Sequence, residues 1–169
     1  RSHLHNRCSY FYPFQNRNLT GRTRHRNILR IPDINQKDKF EKIFGNLYIG
    51  KHPTPDRNKY LVLTLNFSSV AANMDRLEET FNTYCKIVMD GFAERNAHLL
   101  GKEAAEKLHE LKTGDALLGS LCQSAQNKGL KIYLILDEYD NFANNILVDY
   151  GNERYRSITH GSGFFRSFL

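Results

Sequence analysis

Lys131-Ile132-Tyr133-Leu134-Ile135-Leu136-Asp137-Glu138 is the stretch that decides how this chain folds. Its apolar run has strand length and no polar alternation, which suits a parallel strand covered on both faces. It ends abruptly in carboxylates, with Asp140 close behind. A second run of the same kind, Tyr60-Leu61-Val62-Leu63-Thr64-Leu65-Asn66-Phe67, lies upstream. Between the two, Leu77, Phe81, Tyr84, Cys85, Val88 and Phe92 recur every three or four residues and predict an amphipathic helix from about Ala71 to about Asn96. A second helix over Lys102 to Lys112, ended by Gly114, and a third from an Asp115 N-cap to Asn127, closed by Gly129, complete the connection. Strands joined through helices predict a crossover, hence an α/β fold with a parallel sheet and flanking helices. Only two strands are convincing where an open sheet usually has about five. The sheet is therefore incomplete, or it continues in the poorly patterned ends.

Toward the N-terminus, Lys39 to Phe44 predicts a short helix with Phe40, Ile43 and Phe44 on one side, and His52-Pro53-Thr54-Pro55 stops any helix there. Residues 1–32 differ in kind. They hold seven arginines, no lysine and no acid, together with a His3-x-His5 pair and the aromatic knot Tyr10-Phe11-Tyr12-Pro13-Phe14. The chain of 169 residues carries 24 Lys+Arg against 18 Asp+Glu, a net +6. Removing the seven arginines leaves 17 basic and 18 acidic side chains over residues 33–169, a net −1. The excess charge thus belongs to the first 32 residues, read here as a basic leader that is disordered or foreign to the fold. The alternative is an arginine-rich arm that binds nucleic acid, its aromatics stacking on bases.

A carboxylate at the C-terminal end of a parallel strand sits where α/β sheets bind ligands. There it can hold Mg²⁺ through the metal's water shell while a neighbouring carboxylate orients an attacking water. Apolar residues followed by Asp137-Glu138 form the Walker B pattern. The continuation, Asp137-Glu138-Tyr139-Asp140-Asn141-Phe142-Ala143-Asn144-Asn145, resembles the defining segment of the AAA-ATPase-like family of predicted ATPases. Three other stretches fit that family in order: Phe44-Gly45-Asn46-Leu47-Tyr48-Ile49-Gly50-Lys51, Tyr60 to Ser68, and Gly161-Ser162-Gly163-Phe164-Phe165-Arg166-Ser167-Phe168. The resemblance covers about Asp33 to Leu169. It implies a partial P-loop three-layer fold in which the Tyr60 run and the acidic strand are sheet neighbours. It also implies Asp137 as the metal-side carboxylate, Glu138 as the water-activating one, and ATP with Mg²⁺ as cofactors. Asn141 and Asn144 match the motif and are read as caps of the following helix.

A phosphate cradle needs glycines, a Lys and a Ser/Thr in one loop. In the family this precedes Asp33, yet Asn18 to Ile31 contains Gly21 and no Gly-Lys-Ser/Thr. Gly45, Gly50 and Lys51 have the required spacing but form a decoy, because His52 replaces the hydroxyl residue, prolines follow, and no apolar strand precedes. The expectation is a fragment of an ATPase-class domain that keeps its acidic strand end, has lost its phosphate loop and is inactive by itself. A third reading, a Mg-dependent nuclease on Asp137, Glu138 and Asp140 with Glu110-Leu111-Lys112, requires that triplet on a strand, whereas its pattern is helical. His98 and His109 fall in helical stretches, His160 before a glycine-rich turn, and no catalytic triad assembles. No stretch approaches the roughly 20 apolar residues of a membrane span. The chain starts at Arg1 without a charged-then-apolar leader, and Cys8, Cys85 and Cys122 suit a reducing interior, so a cytoplasmic location is expected.

Overall fold

The structure, a computed structural model, describes residues 10–13, 33–70, 74–160 and 163–168. Among the described residues three parallel strands form a sheet: β1 (Tyr10–Pro13), β2 (Tyr60–Asn66) and β3 (Lys131–Asp137), in the order β1-β3-β2. The acidic-ended strand is therefore central. β2 pairs with it in register from Tyr60↔Lys131 to Asn66↔Asp137, as the expected neighbours. β1 pairs along its other side from Tyr10↔Tyr133 to Pro13↔Leu136, so four residues of the aromatic knot belong to the sheet. Pro13 lies on an edge strand, where a missing N–H donor is tolerated. The rest of residues 1–32, with His3, His5, Gly21 and the window Asn18 to Ile31, lies outside the described residues.

Because side chains alternate across a strand, Leu61, Leu63 and Leu65 share a face with Ile132, Leu134 and Leu136. All six are at most 2% exposed. They join one cluster with Phe81, Cys85, Met89 and Phe92 of α3 (Leu77–Arg95) and with Leu117, Leu118 and Leu121 of α6 (Gly114–Asn127). Two short helices, α4 (Ala97–Leu100) and α5 (Glu103–Leu108), link α3 to α6 and bury Leu100, Ala104 and Leu108 there. α7 (Tyr139–Thr159), broken by a kink at Gly151 (φ 81°), and α8 (Phe164–Phe168) add Phe142, Ile146, Phe165 and Phe168. Phe67, just past β2, meets Phe81, Tyr84, Phe142, Phe165 and Phe168 with ring centroids 5.5–6.2 Å apart. Beyond this cluster, α1 (Phe40–Phe44) buries Phe40 and Phe44, and α2 (Tyr48–Lys51) follows at once. The result is the expected α/β arrangement, a parallel sheet flanked by helices in a partial three-layer fold.

Several element ends differ from the periodicity, for tertiary reasons. α3 starts at Leu77 after a 3-10 turn over Met74–Arg76. α5 stops at Leu108, whose carbonyl accepts from Lys86 Nζ at 2.8 Å. Gly114 begins α6 rather than ending α5, and Asp115 lies in the first turn instead of capping it. The N–H of Gly114 donates to Asn82 Oδ1 of α3 at 2.8 Å, and a Cβ there would stand 3.1–3.2 Å from Cys85, Phe168 and Phe81. Gly129 does close α6, at φ +68°, with Leu130 N–H returning to the Ala125 carbonyl. Cys85 is a free, buried thiol, whereas Cys122 is disulfide-bonded, contrary to the expectation of reduced cysteines.

Candidate functional site at the acidic strand end

Asp137 is the last residue of β3 and is half-buried. The chain then turns sharply from strand to helix. Glu138 makes the turn in the left-handed region, φ 57° and ψ 25°, a conformation that costs a residue with a Cβ about 1–2 kcal/mol. It stands at the N-cap position of α7, its carbonyl accepting from Phe142 N–H at 3.0 Å, and its side chain is exposed and caps nothing. Asp140 is exposed in the first helical turn, where the helix dipole favours a negative charge. Asn144 is exposed within the helix, not at its end, so the expected capping role falls away for it. Among the described residues, the carboxylates of Asp137 and Glu138 take no side-chain hydrogen bond and no ion pair.

The register places Asn66 beside Asp137 on the same face of the sheet, at the roughly 5 Å spacing of neighbouring strands. Asn66 is tied down. Its Oδ1 accepts from the Ser68 N–H at 3.0 Å and the Ser68 hydroxyl at 2.7 Å, and its own backbone N–H donates to Tyr84 Oη at 2.6 Å. Burial raises the Tyr84 hydroxyl above the ordinary phenol value, the bond from Asn66 works against this, and electrostatic coupling to Cys85 and to the Asp137 carboxylate adds to the rise. Tyr84 therefore stays a neutral hydroxyl at neutral pH. Sequence reasoning assigned no role to Asn66 or Tyr84. Their only signal was position, Asn66 as the last residue of an apolar strand and Tyr84 on the core side of a long helix.

Among the described residues no three His, Cys, Asp or Glu side chains gather as metal ligands. Mg²⁺ keeps several waters and needs only one or two carboxylates, so half-buried Asp137 fits it, whereas the Asn66 amide oxygen is already taken by Ser68 and its NH₂ cannot ligate a cation. A nucleotide fits less well. The segment carrying Gly45, Gly50 and Lys51 forms α1 and α2, and a helix rather than a strand precedes Gly45. A Cβ on Gly50 would lie 1.9 Å from the Phe44 carbonyl oxygen, so this glycine is required by the packing of two helices. Lys51 is exposed, and α2 ends at His52 before the prolines.

The remaining candidates stand apart. Glu110, Leu111 and Lys112 lie in the irregular connection between α5 and α6, not on a strand as nuclease chemistry demands. His98 and His109 are exposed on or beside short helices, and His160 ends α7 with its Nδ1 2.8 Å from Thr159 Oγ1. A cavity of about 860 Å³ opens between Arg76, Asn82, Asp115, Arg154 and Phe168, and neither Asp137 nor Glu138 lines it. No helix among the described residues is long and apolar enough to cross a membrane. Compared with known proteins, the chain matches the sequence model of a family described as predicted AAA-ATPase over residues 27–169. No curated protein and no solved structure matches it.

Proposed function

Because the chain belongs to the predicted AAA-ATPase family, we propose that it is part of an ATPase-class domain in which Asp137 and Glu138 keep Walker B roles but which does not turn over ATP by itself. The observation that carries this reading is the left-handed turn that sets two unpaired carboxylates at the C-terminal end of the central parallel strand. Asp137 would hold Mg²⁺ through its water shell. When bound, the metal supplies charge neutralisation at phosphoryl oxygens. Glu138, exposed and free of partners, has the position and freedom to orient a water and accept its proton. The absence of any Gly-Lys-Ser/Thr in the sequence supports the inactive part of the proposal, since no loop then offers the amide cradle, ammonium and hydroxyl together.

The test is hydrolysis of ATP with Mg²⁺, alongside the melting temperature with and without Mg-nucleotide. We expect no turnover by the wild type and none by Glu138→Gln. Turnover that disappears on Glu138→Gln would overturn the inactivity while supporting the site. A second reading rests on the concentration of seven arginines and no acid in residues 1–32, as a nucleic-acid-binding arm. Its test is the loss of salt-dependent binding when those residues are deleted. For the proposed cytoplasmic location, the buried free Cys85 is the supporting observation and the bridged Cys122 the opposing one. Three thiols per unfolded, unreduced chain would support that location, and one would oppose it.

A further inference from the structure

Outside the acidic strand end, one surface combines an exposed ring with unneutralised cations. Tyr48 on α2 is 79% exposed, its ring centroid 4.6 Å from that of His52, and Leu47 beside it is 54% exposed. Tyr48, Lys51 and His52 follow an i, i+3, i+4 spacing and so share one side of the turn. The platform is held firmly. Gly50 lies against the Phe44 carbonyl, Leu47 N–H donates to that same carbonyl at 2.8 Å, and His52 N–H donates to the Tyr48 carbonyl at 2.9 Å. The returning loop is tied to α1 by Arg57, which pairs with Glu41 at 3.2 Å and lies 4.0 Å over the Phe40 ring.

Charge on this part of the chain is directed outward. Residues 33–59 hold six basic and four acidic side chains. Three of the four acids are engaged internally: Asp33 accepts from Asn35 N–H, Glu41 pairs with Arg57, and Asp56 accepts from the Tyr60 hydroxyl. Only Asp38 has no such partner among the described residues. Lys37, Lys39, Lys42, Lys51 and Lys59 are all exposed and make no ion pair there. Adding the seven arginines, residues 1–59 carry 13 basic and 4 acidic groups, a net +9, whereas residues 60–169 carry 11 and 14, a net −3. The exposed ring thus lies in a segment, residues 33–59, that carries a net +2 and five exposed lysines without an ion pair among the described residues.

From this juxtaposition we propose that the α1–α2 surface is a contact site for single-stranded nucleic acid, with Tyr48 as the stacking platform and the free lysines tracking the phosphates. Bases stack on an aromatic face only when unpaired, so an exposed ring among cations selects a single strand over a duplex. The site does not depend on the arginine-rich segment, which has no described geometry, nor on the ATPase reading.

The experiment is fluorescence anisotropy with a fluorescein-labelled deoxythymidine 20-mer and the full chain, at several salt concentrations. A duplex of the same length is run beside it. We expect the single strand to bind more tightly than the duplex. Tyr48→Ala should weaken strand binding about tenfold or more, with an unchanged salt slope and an unchanged melting temperature, because the ring is in solvent. A triple Lys42→Gln, Lys51→Gln, Lys59→Gln variant should flatten the plot of log affinity against log salt by about 0.7 for each phosphate that no longer meets a lysine. The proposal is overturned if the wild type does not bind the strand, or if Tyr48→Ala binds it as tightly as the wild type.

Discussion

Glu138 offers a direct test of the turn that shapes the site, because its backbone conformation predicts the sign of an alanine-to-glycine difference. At an ordinary helical or extended position, glycine is less stable than alanine by roughly 0.5–1 kcal/mol, since it loses more freedom on folding. At φ 57° the balance reverses. The left-handed region costs a Cβ-bearing residue about 1–2 kcal/mol, and glycine avoids that cost. Subtracting that entropic disadvantage of about 0.5–1 kcal/mol leaves Glu138→Gly more stable than Glu138→Ala by up to about 1.5 kcal/mol, centred near about 0.75 kcal/mol. Both variants lack the carboxylate, so loss of its electrostatics cancels between them, and neither removes a side-chain hydrogen bond of the described residues. Urea unfolding of the two, with equal slopes, reads the difference from the midpoints. Alanine more stable than glycine by the roughly 0.5–1 kcal/mol of an ordinary position would refute the left-handed assignment, and with it the geometry on which the proposed roles of Asp137 and Glu138 rest.

Other outcomes follow from the same packing. Cys85 is pushed up to about 12 by burial from an ordinary thiol value of 9.0. The folded chain thus keeps a proton that the unfolded chain releases, and stability should fall as the pH rises from about 9 toward 12, by at most about 4 kcal/mol. Cys85→Ala should show a shallower alkaline loss in denaturation midpoints. Tyr84, also raised by burial, contributes in the same direction and remains in that variant. Phe67→Ala should destabilise by about 3–5 kcal/mol in chemical denaturation, because five rings lose their common partner. Gly50→Ala should lower the melting temperature, at a cost of about 1–3 kcal/mol, since the added carbon meets a backbone oxygen. The response of the melting temperature to Mg-nucleotide should not change in this variant.

The two apolar strands were legible because each is buried along its own length, which forces a continuous hydrophobic run whatever its neighbours are. The long helix was legible for the same reason at a different period, and Leu77, Phe81, Cys85 and Phe92 are indeed its buried stripe. β1 was not. Four residues with a proline carry no period, and only pairing to Tyr133 through Leu136 makes them a strand. The start of α6 was misplaced by two residues because Gly114 is selected by the closeness of Cys85, Phe81 and Phe168, a contact between distant parts of the chain. Asn66 and Tyr84 escaped notice for a related reason: nothing local marks an asparagine that will stand beside Asp137.

By itself, the sequence determined that an apolar strand runs into Asp137 and Glu138, that an amphipathic connection precedes it, and that residues 1–169 contain no Gly-Lys-Ser/Thr. Those are properties of residue type and spacing, which need no partner to be read. Tertiary structure alone decided that β3 is the central strand, that Asn66 lies next to Asp137, and that Gly50 serves helix packing. It also set Glu138 in a left-handed turn. These depend on hydrogen-bond register and on close approach between segments far apart in the chain, and such contacts exist only once the sheet has closed on its helices.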